Sequence, residues 1–313
     1  TPAVTFSDVT KTYGDADFAL SATSSNTSAV TYTSSDPSVA TVSGSTVTIV
    51  GAGTTTITMT QVSDANYLSA TATATLTVAK ATPAVTFADV TKTYGDEDFA
   101  LSATSSNTSA VTYTSSDPSV ATVSGSTVTL VGAGTTTLTM SQVTYANYLS
   151  ATATATLTVA KAAPAVTFAD VTKSYGDADF ALSATSSNTS AFTYTSSDPS
   201  VATVSGSTVT ITGAGTTTIT MSQVSDANYT VATATATLTV AKAAPAITFA
   251  NISKVYGDAP SNFAYNSQSL GSLTYSSSNT SVATISSNQL VIQGTGTSTI
   301  TLTQASDDDY LAA

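Results

Sequence analysis

Hydrophobic and polar residues alternate in short runs along the whole chain, and this two-residue period is typical of half-buried β-strands. The pattern is clearest from Tyr32 to Thr58. There a turn at residues 34–37 precedes three strands, which Gly44 and a break at residues 51–53 separate. The segment recurs at Tyr113, at Tyr194 and, with more substitutions, at Tyr275, and each copy begins 81 residues after the previous one. The sequence therefore predicts an array of one small β unit in four copies.

The first copy predicts seven strands, which we letter A to G. Short strands with turn signals between them are typical of an immunoglobulin-like sandwich. A small barrel is the alternative, and it is less favoured because residues 51–53 form the one clear internal bend. The strands are A (Val4, Phe6, continuing from Val9 to Tyr13), B (Phe18, Leu20, Ala22), C (Val30, Tyr32), D (Val39 to Val42), E (Val47, Ile49), F (Thr54 to Val62) and G (Leu68 to Val78). We therefore predict an all-β fold of tandem immunoglobulin-like β-sandwich domains.

The predicted domains are residues 1–81, 82–162, 163–243 and 244–313, and we call these segments repeats 1 to 4. The segments that join them, such as Lys80 to Pro83, are short, contain no glycine and include a proline that stiffens the chain. We therefore expect an elongated, semi-rigid rod. Repeat 4 ends at Ala313, before a counterpart of strand G, and we expect the chain to continue beyond it.

The composition excludes several classes of function. Charged residues make up 8% of the chain, and it contains no Cys, no His and no Trp, while all seven basic residues are Lys. The usual nucleophile–base pairs, thiolate metal sites and arginine phosphate clamps therefore cannot form, and we predict that the protein is not an enzyme. The net charge of −12 disfavours nucleic acids and anionic lipid, and no apolar run approaches the roughly 18 residues of a membrane span.

Several motifs resemble known bacterial repeats. The run from Ser34 to Val42, with the Gly-Ala-Gly-Thr that follows at residues 51–54, resembles the bacterial immunoglobulin-like domains of group 2. Tyr13-Gly14-Asp15 and Ala65-Asn66-Tyr67 resemble the MBG (YGX-type) repeats, and the resemblance covers the whole chain, repeat by repeat. Repeat 4 departs from it by turn-compatible substitutions at residues 279–280, 294–296 and 309.

The resemblance implies a stalk segment of a large secreted adhesin, which projects a binding tip from the bacterial surface. The implied partners are the adjacent repeats, unseen terminal domains and the anchoring or secretion machinery. Two alternatives stay open: a multivalent binding module that contacts glycan or a partner protein through repeated surfaces, and an immunoglobulin-like decoration domain of a phage particle. We expect Tyr67 to act as a corner tyrosine, with its ring in the core and its hydroxyl on the backbone.

Two sets of residues are candidates for binding. Carboxylates in turns at a domain end could hold calcium, although turn capping is the simpler role and we predict no cofactor; these are Asp15, Asp17, Asp64, Asp307, Asp308 and Asp309. Outward threonines on neighbouring strands could form a hydroxyl surface for a ligand, although threonine is also a good soluble strand former; these are Thr56, Thr58, Thr60, Thr71, Thr73, Thr75 and Thr77.

Overall fold

The structure is a computed structural model that describes all residues from 1 to 313. It contains β-strands and no helix, and each of the four repeats forms two main facing sheets, as predicted for tandem immunoglobulin-like sandwiches. The strands of repeat 1 are β1 (Val4–Thr5), β2 (Val9–Thr12), β3 (Phe18–Ala19), β4 (Thr23–Ser24), β5 (Val30–Ser34), β6 (Ala40–Ser43), β7 (Thr46–Ile49), β8 (Gly53–Gln61) and β9 (Ala70–Ala79).

The sheet order in repeat 1 is that of an immunoglobulin-like sandwich. One sheet has the order β2-β9-β8-β5, the second has the order β3-β7-β6, and β1 pairs with β4 at the margin. Strand β2 runs parallel to β9, whereas the other neighbours are antiparallel. The predicted strands G, F and C are therefore neighbours, as β9, β8 and β5.

Three predicted strand boundaries were wrong. Predicted strand A is two strands, because β1 pairs with β4 while β2 crosses to the other sheet and pairs with β9. Asp8 lies at this crossing, where its carboxylate accepts a hydrogen bond of 2.7 Å from Thr75 N. Predicted strand B, from Phe18 to Ala22, is shorter than predicted, because only β3 forms within it; β4 begins just after it and pairs with β1. Strand β9 begins at Ala70, since Leu68 still belongs to the exposed turn before it.

Repeats 2 and 3 have the same strands and the same pairing as repeat 1. The strands of repeat 2 are β10 (Val85–Thr86), β11 (Val90–Thr93), β12 (Phe99–Ala100), β13 (Thr104–Ser105), β14 (Val111–Ser115), β15 (Ala121–Ser124), β16 (Thr127–Leu130), β17 (Gly134–Gln142) and β18 (Ala151–Ala160). Those of repeat 3 are β19 (Val166–Phe168), β20 (Val171–Ser174), β21 (Phe180–Ala181), β22 (Ala184–Ser186), β23 (Phe192–Ser196), β24 (Ala202–Ser205), β25 (Thr208–Ile211), β26 (Gly215–Gln223) and β27 (Ala232–Ala241).

Repeat 4 keeps the second sheet but has a smaller first sheet. Its strands pair as β28 with β30, β29-β33-β32, and β31 with β34. They are β28 (Ile247–Phe249), β29 (Ser261–Asn262), β30 (Tyr265–Ser267), β31 (Leu273–Ser277), β32 (Ala283–Ser286), β33 (Gln289–Ile292) and β34 (Ile300–Gln304).

Each repeat has its own core. In repeat 1 the alternation of β8 and β9 buries Ile57, Leu76 and Val78 between the sheets. The rings of Phe6 and Tyr32 pack on this core, with their centroids 5.5 Å from each other. These strands therefore form because one face of each has an apolar partner across the sandwich. The chain divides into two compact units, Thr1–Lys161 and Ala162–Ala313, each with two such cores. The boundaries between repeats within each unit stay predictions.

Candidate functional site at the repeat junctions

Three short segments meet where one repeat follows another inside a unit. The rear turn precedes the last long strand of a repeat and comprises residues 64–67, 145–148, 226–229 and 307–310 in repeats 1 to 4. The front tyrosine is Tyr13 in repeat 1 and Tyr175 in repeat 3, and the Gly-Ala-Gly turn is residues 51–53 and 213–215. In each unit, the rear turn of the second repeat contacts the front tyrosine and the Gly-Ala-Gly turn of the first.

The backbone of the connecting segment makes the first contact in unit 1. Ala81, just after β9, forms an isolated parallel bridge with Tyr148. Its N–H donates to the carbonyl of Asn147 at 2.9 Å, and its own carbonyl accepts from Leu149 N at 2.9 Å. The connection between the repeats is therefore hydrogen-bonded to the second repeat, which limits its freedom to bend.

The side chain of Asn147 makes the second contact. Its Oδ1 accepts a hydrogen bond of 2.8 Å from the backbone N–H of Ala52 in the Gly-Ala-Gly turn of repeat 1. A Cβ at Gly51 would lie 2.7 Å from the carbonyl oxygen of Ser38 and 3.3 Å from Asn147 Oδ1. Glycine is therefore required at position 51 because the backbone of residue 38 and the neighbouring repeat approach it closely.

Two tyrosine rings make the third contact. The rings of Tyr13 and Tyr148 meet edge to face, with centroids 5.5 Å apart and an interplanar angle of 82°. This is a favourable geometry for aromatic pairs. The prediction of a corner tyrosine is wrong for Tyr148, the counterpart of Tyr67, because its ring packs on the preceding repeat instead. Tyr67 is likewise absent from the core of repeat 1.

Unit 2 repeats the arrangement with one change of chemistry. Ala243 forms an isolated parallel bridge with Tyr310. The rings of Tyr310 and Tyr175 meet edge to face, with centroids 5.4 Å apart and an interplanar angle of 87°. The backbone N–H of Ala214 donates a hydrogen bond of 2.7 Å to the side chain of residue 309. The acceptor is the carboxylate of Asp309, whereas in unit 1 it is the side-chain amide of Asn147. The negative charge of Asp309 raises the pKa of Tyr175, because it disfavours a second anion beside it. Lys242 Nζ also donates to the carbonyl oxygen of Asp307.

The rear turns are closed in two different ways. In repeat 4 the carboxylate of Asp307 accepts hydrogen bonds from the N–H groups of Asp309 and Tyr310 with one oxygen, and from Ser269 Oγ and Leu270 N with the other. Burial opposes its ionisation, but these four bonds outweigh burial and hold the pKa of Asp307 at about 2.

Asp64 closes the rear turn of repeat 1 in the same way, by accepting from the N–H groups of Asn66 and Tyr67, and these bonds lower its pKa. In repeat 2 this position is Tyr145. There a pair of backbone hydrogen bonds between Tyr145 and Tyr148 closes the turn, and Ala146 adopts a left-handed φ of 45°.

Two of the other acidic candidates for calcium accept hydrogen bonds within repeat 1, and the third is exposed. Asp15 accepts from Thr12 N at 2.8 Å, Asp17 accepts from Thr48 Oγ1 at 2.9 Å, and Asp308 is exposed. The structure gathers no group of three or more acidic side chains that could hold a metal ion. Asp15 and Asp17 therefore act as hydrogen-bond acceptors within repeat 1.

The threonine face lies on the sheet β2-β9-β8-β5. The register places Thr31, Thr60 and Thr71 in one row across three strands, and Thr33, Thr58 and Thr73 in the next. Thr56 and Thr75 form a third row, and Thr77 pairs with Thr54 and Thr10 in a fourth. All seven predicted threonines are exposed except Thr58, which is half-buried. The face is a regular array of hydroxyl and methyl groups.

Sequence reasoning found the residues of the junction but assigned them elsewhere. Tyr13-Gly14, the Gly-Ala-Gly turn and Asn66-Tyr67 were each interpreted as local features of one repeat. Their partners lie in the next repeat, as Asn147 and Ala52 show. The signal was the recurrence of all three motifs in every copy, including the substituted repeat 4.

The fold and the junctions define the class of this protein as a tandem array of immunoglobulin-like sandwiches. The sequence profile of the family described as "Intimin, immunoglobulin-like domain" matches residues 178–228, which lie in repeat 3. No curated protein sequence matches the chain. None of its secondary structure is a helix long and apolar enough to cross a membrane.

Solved structures similar to the chain include two kinds of tandem array. Drosophila N-cadherin EC1-4 is 12% identical, with a TM-score of 0.28 and coverage of 96% of this chain and 95% of that chain. An I-band fragment of titin is 13% identical, with a TM-score of 0.28 and coverage of 76% and 98%. The immunoglobulin domains 1-5 of Sidekick-1 are 15% identical, with a TM-score of 0.28 and coverage of 77% and 59%.

Proposed function

We propose that the chain is a stalk segment of a large secreted bacterial surface adhesin, in which it holds a binding tip away from the cell. The observation that carries the proposal is the junction itself. The same three contacts are built in unit 1 and in unit 2, although residue 147 is Asn and its counterpart is Asp309. A spacer that transmits force needs defined contacts between its successive repeats, and this set of contacts is made twice.

Two sequence relationships support this proposal. The match to the intimin immunoglobulin-like domain points to a bacterial adhesin repeat. The motifs that resemble MBG repeats, Tyr13-Gly14 and Asn66-Tyr67, are the same motifs that supply the front tyrosine and the rear turn of the junction. On this proposal the YGX-type pattern marks a repeat that is built to be followed by another.

The mechanism is mechanical and non-enzymatic. The bridge at Ala81 shortens the free part of the connection, the Asn147 bond fixes the end of one sandwich to the next, and the tyrosine pair fills the space between them. The partners are the adjacent repeats, terminal domains of the same protein and the machinery that secretes or anchors it. Backbone groups, the Asn147 side chain and two tyrosine rings make these contacts, so we propose junctions that work without calcium.

Small-angle X-ray scattering tests the proposal on the full chain. Four sandwiches of about 35–40 Å each, from about ten to twelve residues per strand at 3.3 Å, should give a rod about 150 Å long. The double variant Asn147→Ala/Tyr148→Ala should broaden the distribution of maximum dimensions. Its matched control is Asn66→Ala/Tyr67→Ala, which alters the rear turn of repeat 1, outside the contacts of both junctions. A compact globule, or equal effects of both variants, would refute the stalk.

A second candidate function is multivalent binding through the threonine face. It is favoured by one observation, the alignment of threonines in rows across β5, β8 and β9. Recurrence of the face in successive repeats would add avidity to a weak contact. A glycan array probed with the full chain tests this candidate. Binding that is lost in a Thr58→Lys/Thr73→Lys variant would support it, and absence of binding with a retained rod shape would favour the stalk.

A further inference from the structure

One motif of the chain has no part in the junctions. It is Asn-x-Ser/Thr, the acceptor pattern for an N-linked sugar when x is not proline. A sugar is attached only where a transferase reaches the side-chain Nδ2 of the asparagine, so the exposure and the partners of this atom separate the copies. The copies begin at Asn26, Asn107, Asn188, Asn228, Asn251 and Asn279.

Most copies are structural. Asn26 is 3% exposed, and its Nδ2 donates a hydrogen bond of 2.9 Å to the carbonyl of Val62. Asn107 and Asn188 are each 2% exposed, and their Nδ2 groups donate to the equivalent carbonyls of repeats 2 and 3. Asn228 is half-buried in the rear turn of repeat 3.

Asn251 is exposed in repeat 4. It occupies the position of Asp8, whose side chain in repeat 1 accepts a hydrogen bond from the backbone of β9. This position therefore has a role within the sheet, and Asn251 serves as an internal control below.

Asn279 has a different environment, in the turn between β31 and β32. Asn279, Thr280 and Ser281 are all exposed. The Oδ1 atom of Asn279 accepts from Ser281 Oγ at 2.6 Å and from Ser281 N at 3.1 Å. Its backbone N–H donates to Ser298 Oγ at 3.0 Å, and its carbonyl accepts from Val282 N at 3.1 Å. The polar groups of Asn279 are therefore engaged in the turn except for Nδ2, which makes no hydrogen bond to the protein.

The two hydrogen bonds from Ser281 orient the side-chain amide. The backbone N–H of Ser281 is a donor, so the oxygen of the planar carboxamide must face it, and Nδ2 lies on the opposite side of the group. The Ser281 hydroxyl, two residues after the asparagine, is the hydroxyl that the motif requires. The turn therefore presents a complete and accessible motif.

The same turn in repeats 1 to 3 cannot accept a sugar. In repeat 1 it is Asp36-Pro37-Ser38, and the carboxylate of Asp36 accepts the same two bonds from Ser38, at 2.9 and 2.6 Å. Aspartate has no side-chain nitrogen, and proline occupies the middle position that the motif excludes. Repeat 4 changes both positions, to Asn279 and Thr280, and keeps the serine and the shape of the turn.

We propose that Asn279 is an N-glycosylation site and that the co-substrate is a glycosyl diphosphate. Nδ2 attacks the anomeric carbon of the sugar and forms a carbon–nitrogen bond. The bond from that carbon to the diphosphate oxygen breaks, the diphosphate leaves with the electron pair, and one Nδ2 proton passes to a base of the transferase. A soluble nucleoside diphosphate sugar and a lipid-linked diphosphate sugar share this chemistry.

The test incubates the folded full chain in two separate reactions. One contains an asparagine glycosyltransferase with uridine diphosphate glucose, and the other contains an oligosaccharyltransferase with an oligosaccharide on a lipid diphosphate. Intact-mass spectrometry should show one added glycan per chain in one or both reactions, and peptide mapping should place it at Asn279. The reaction that succeeds identifies the source of the sugar. No addition in either reaction, or addition at another asparagine instead, would overturn the proposal.

Two variants remove the site and keep the turn, because each restores a residue that repeats 1 to 3 use. Asn279→Asp keeps the acceptor oxygen and removes Nδ2, and Thr280→Pro blocks the middle position, so each should abolish the addition. Asn251→Gln should leave it unchanged. The double variant Asp36→Asn/Pro37→Thr builds the motif in repeat 1 and should raise the addition to two glycans per chain. Addition that persists in Asn279→Asp, or that does not appear at residue 36 of the double variant, would contradict the proposal.

Discussion

The junctions in the two units use different residues for the same geometry. In unit 1 an amide, Asn147, accepts from Ala52 N at 2.8 Å, and in unit 2 a carboxylate, Asp309, accepts from Ala214 N at 2.7 Å. The ring pairs are also alike, at 5.5 and 5.4 Å. Both junctions therefore combine the backbone bridge with one oxygen acceptor and one tyrosine ring, and the charge of the acceptor differs between them.

The turns that present these residues differ more. The turn of repeat 4 depends on the Asp307 carboxylate and its four donors, whereas the turn of repeat 2 depends on a backbone pair and on Ala146 in a left-handed conformation. The junction therefore constrains the end of the rear turn, at residues 147–148 and 309–310, and leaves the start of the turn open to substitution.

The largest effect is expected at the first glycine of the Gly-Ala-Gly turn. Gly51→Ala and Gly213→Ala each place a Cβ 2.6–2.7 Å from a backbone carbonyl, and we expect a loss of about 2–3 kcal/mol in unfolding free energy. Gly294→Ala in repeat 4 is the matched control, because it meets Ser281 O at 2.6 Å without a side chain from another repeat nearby. All three should destabilise their own repeat in chemical denaturation.

The three variants should differ in their effect on the junctions. Gly51→Ala should also increase the rate of amide hydrogen exchange at Ala81, and Gly213→Ala should increase it at Ala243. Gly294→Ala should not increase the exchange rate at either residue. If Gly294→Ala loosened the junction of unit 2 as much as Gly213→Ala does, the close contact of the glycine with the next repeat would have no role.

Removal of the tyrosine pair should have the next largest effect. Tyr148→Ala and Tyr310→Ala each remove an edge-to-face contact and the apolar area that it covers, and we expect a loss of about 1.5 kcal/mol in each unit. Differential scanning calorimetry should show similar shifts for both. Tyr148→Phe and Tyr310→Phe keep the ring and should retain most of the stability. A loss in one unit only would mean that the two junctions are not equivalent.

Substitution by glycine at the second position of the rear turn should change the unfolding free energy in opposite directions in the two units. Ala146 has a φ of 45°, which is unfavourable for a residue with a Cβ, so Ala146→Gly should raise the unfolding free energy by about 1 kcal/mol. Asp308 occupies the same position without a positive φ, so Asp308→Gly should lower the unfolding free energy by about 0.5–1 kcal/mol through the entropy of the unfolded chain. Thermal unfolding of both variants measures these changes in stability. A change in the same direction in both variants would show that the two turns are alike.

The sequence predicted the sandwich better than the junction, for a physical reason. Strand alternation and turn residues act over a few positions, so the strands that bury Ile57 and Leu76 were found, as was the order of strands C, F and G. The transfer of predicted strand A from one sheet to the other depends on Asp8 and Thr75, which are 67 residues apart. The junction joins Ala52 to Asn147, which are 95 residues apart, and no local pattern contains that pairing.

The smallest effect is a difference in acid sensitivity between the two rear turns. The folded-state pKa of Asp307, about 2, lies below its ordinary value of 3.8. Its contribution to stability is therefore present above about pH 4 and is lost as the pH falls towards 2. The turn of repeat 2 has Tyr145 in that position, with no carboxylate to protonate. In nitrogen–proton NMR spectra recorded from pH 5 down to pH 2, the amide signals of residues 309 and 310 should move and broaden before those of residues 147 and 148.

The substitution Tyr145→Asp, combined with Ala146→Gly to relieve the backbone, would transfer that sensitivity to the rear turn of repeat 2. The new carboxylate would face the N–H groups of Asn147 and Tyr148 as Asp307 faces those of Asp309 and Tyr310. Asp307→Asn keeps an oxygen acceptor that does not titrate and should remove the early acid response of the rear turn of repeat 4. If both turns responded to acid together in the unmodified chain, closure of the turn by Asp307 would not be what distinguishes the two junctions.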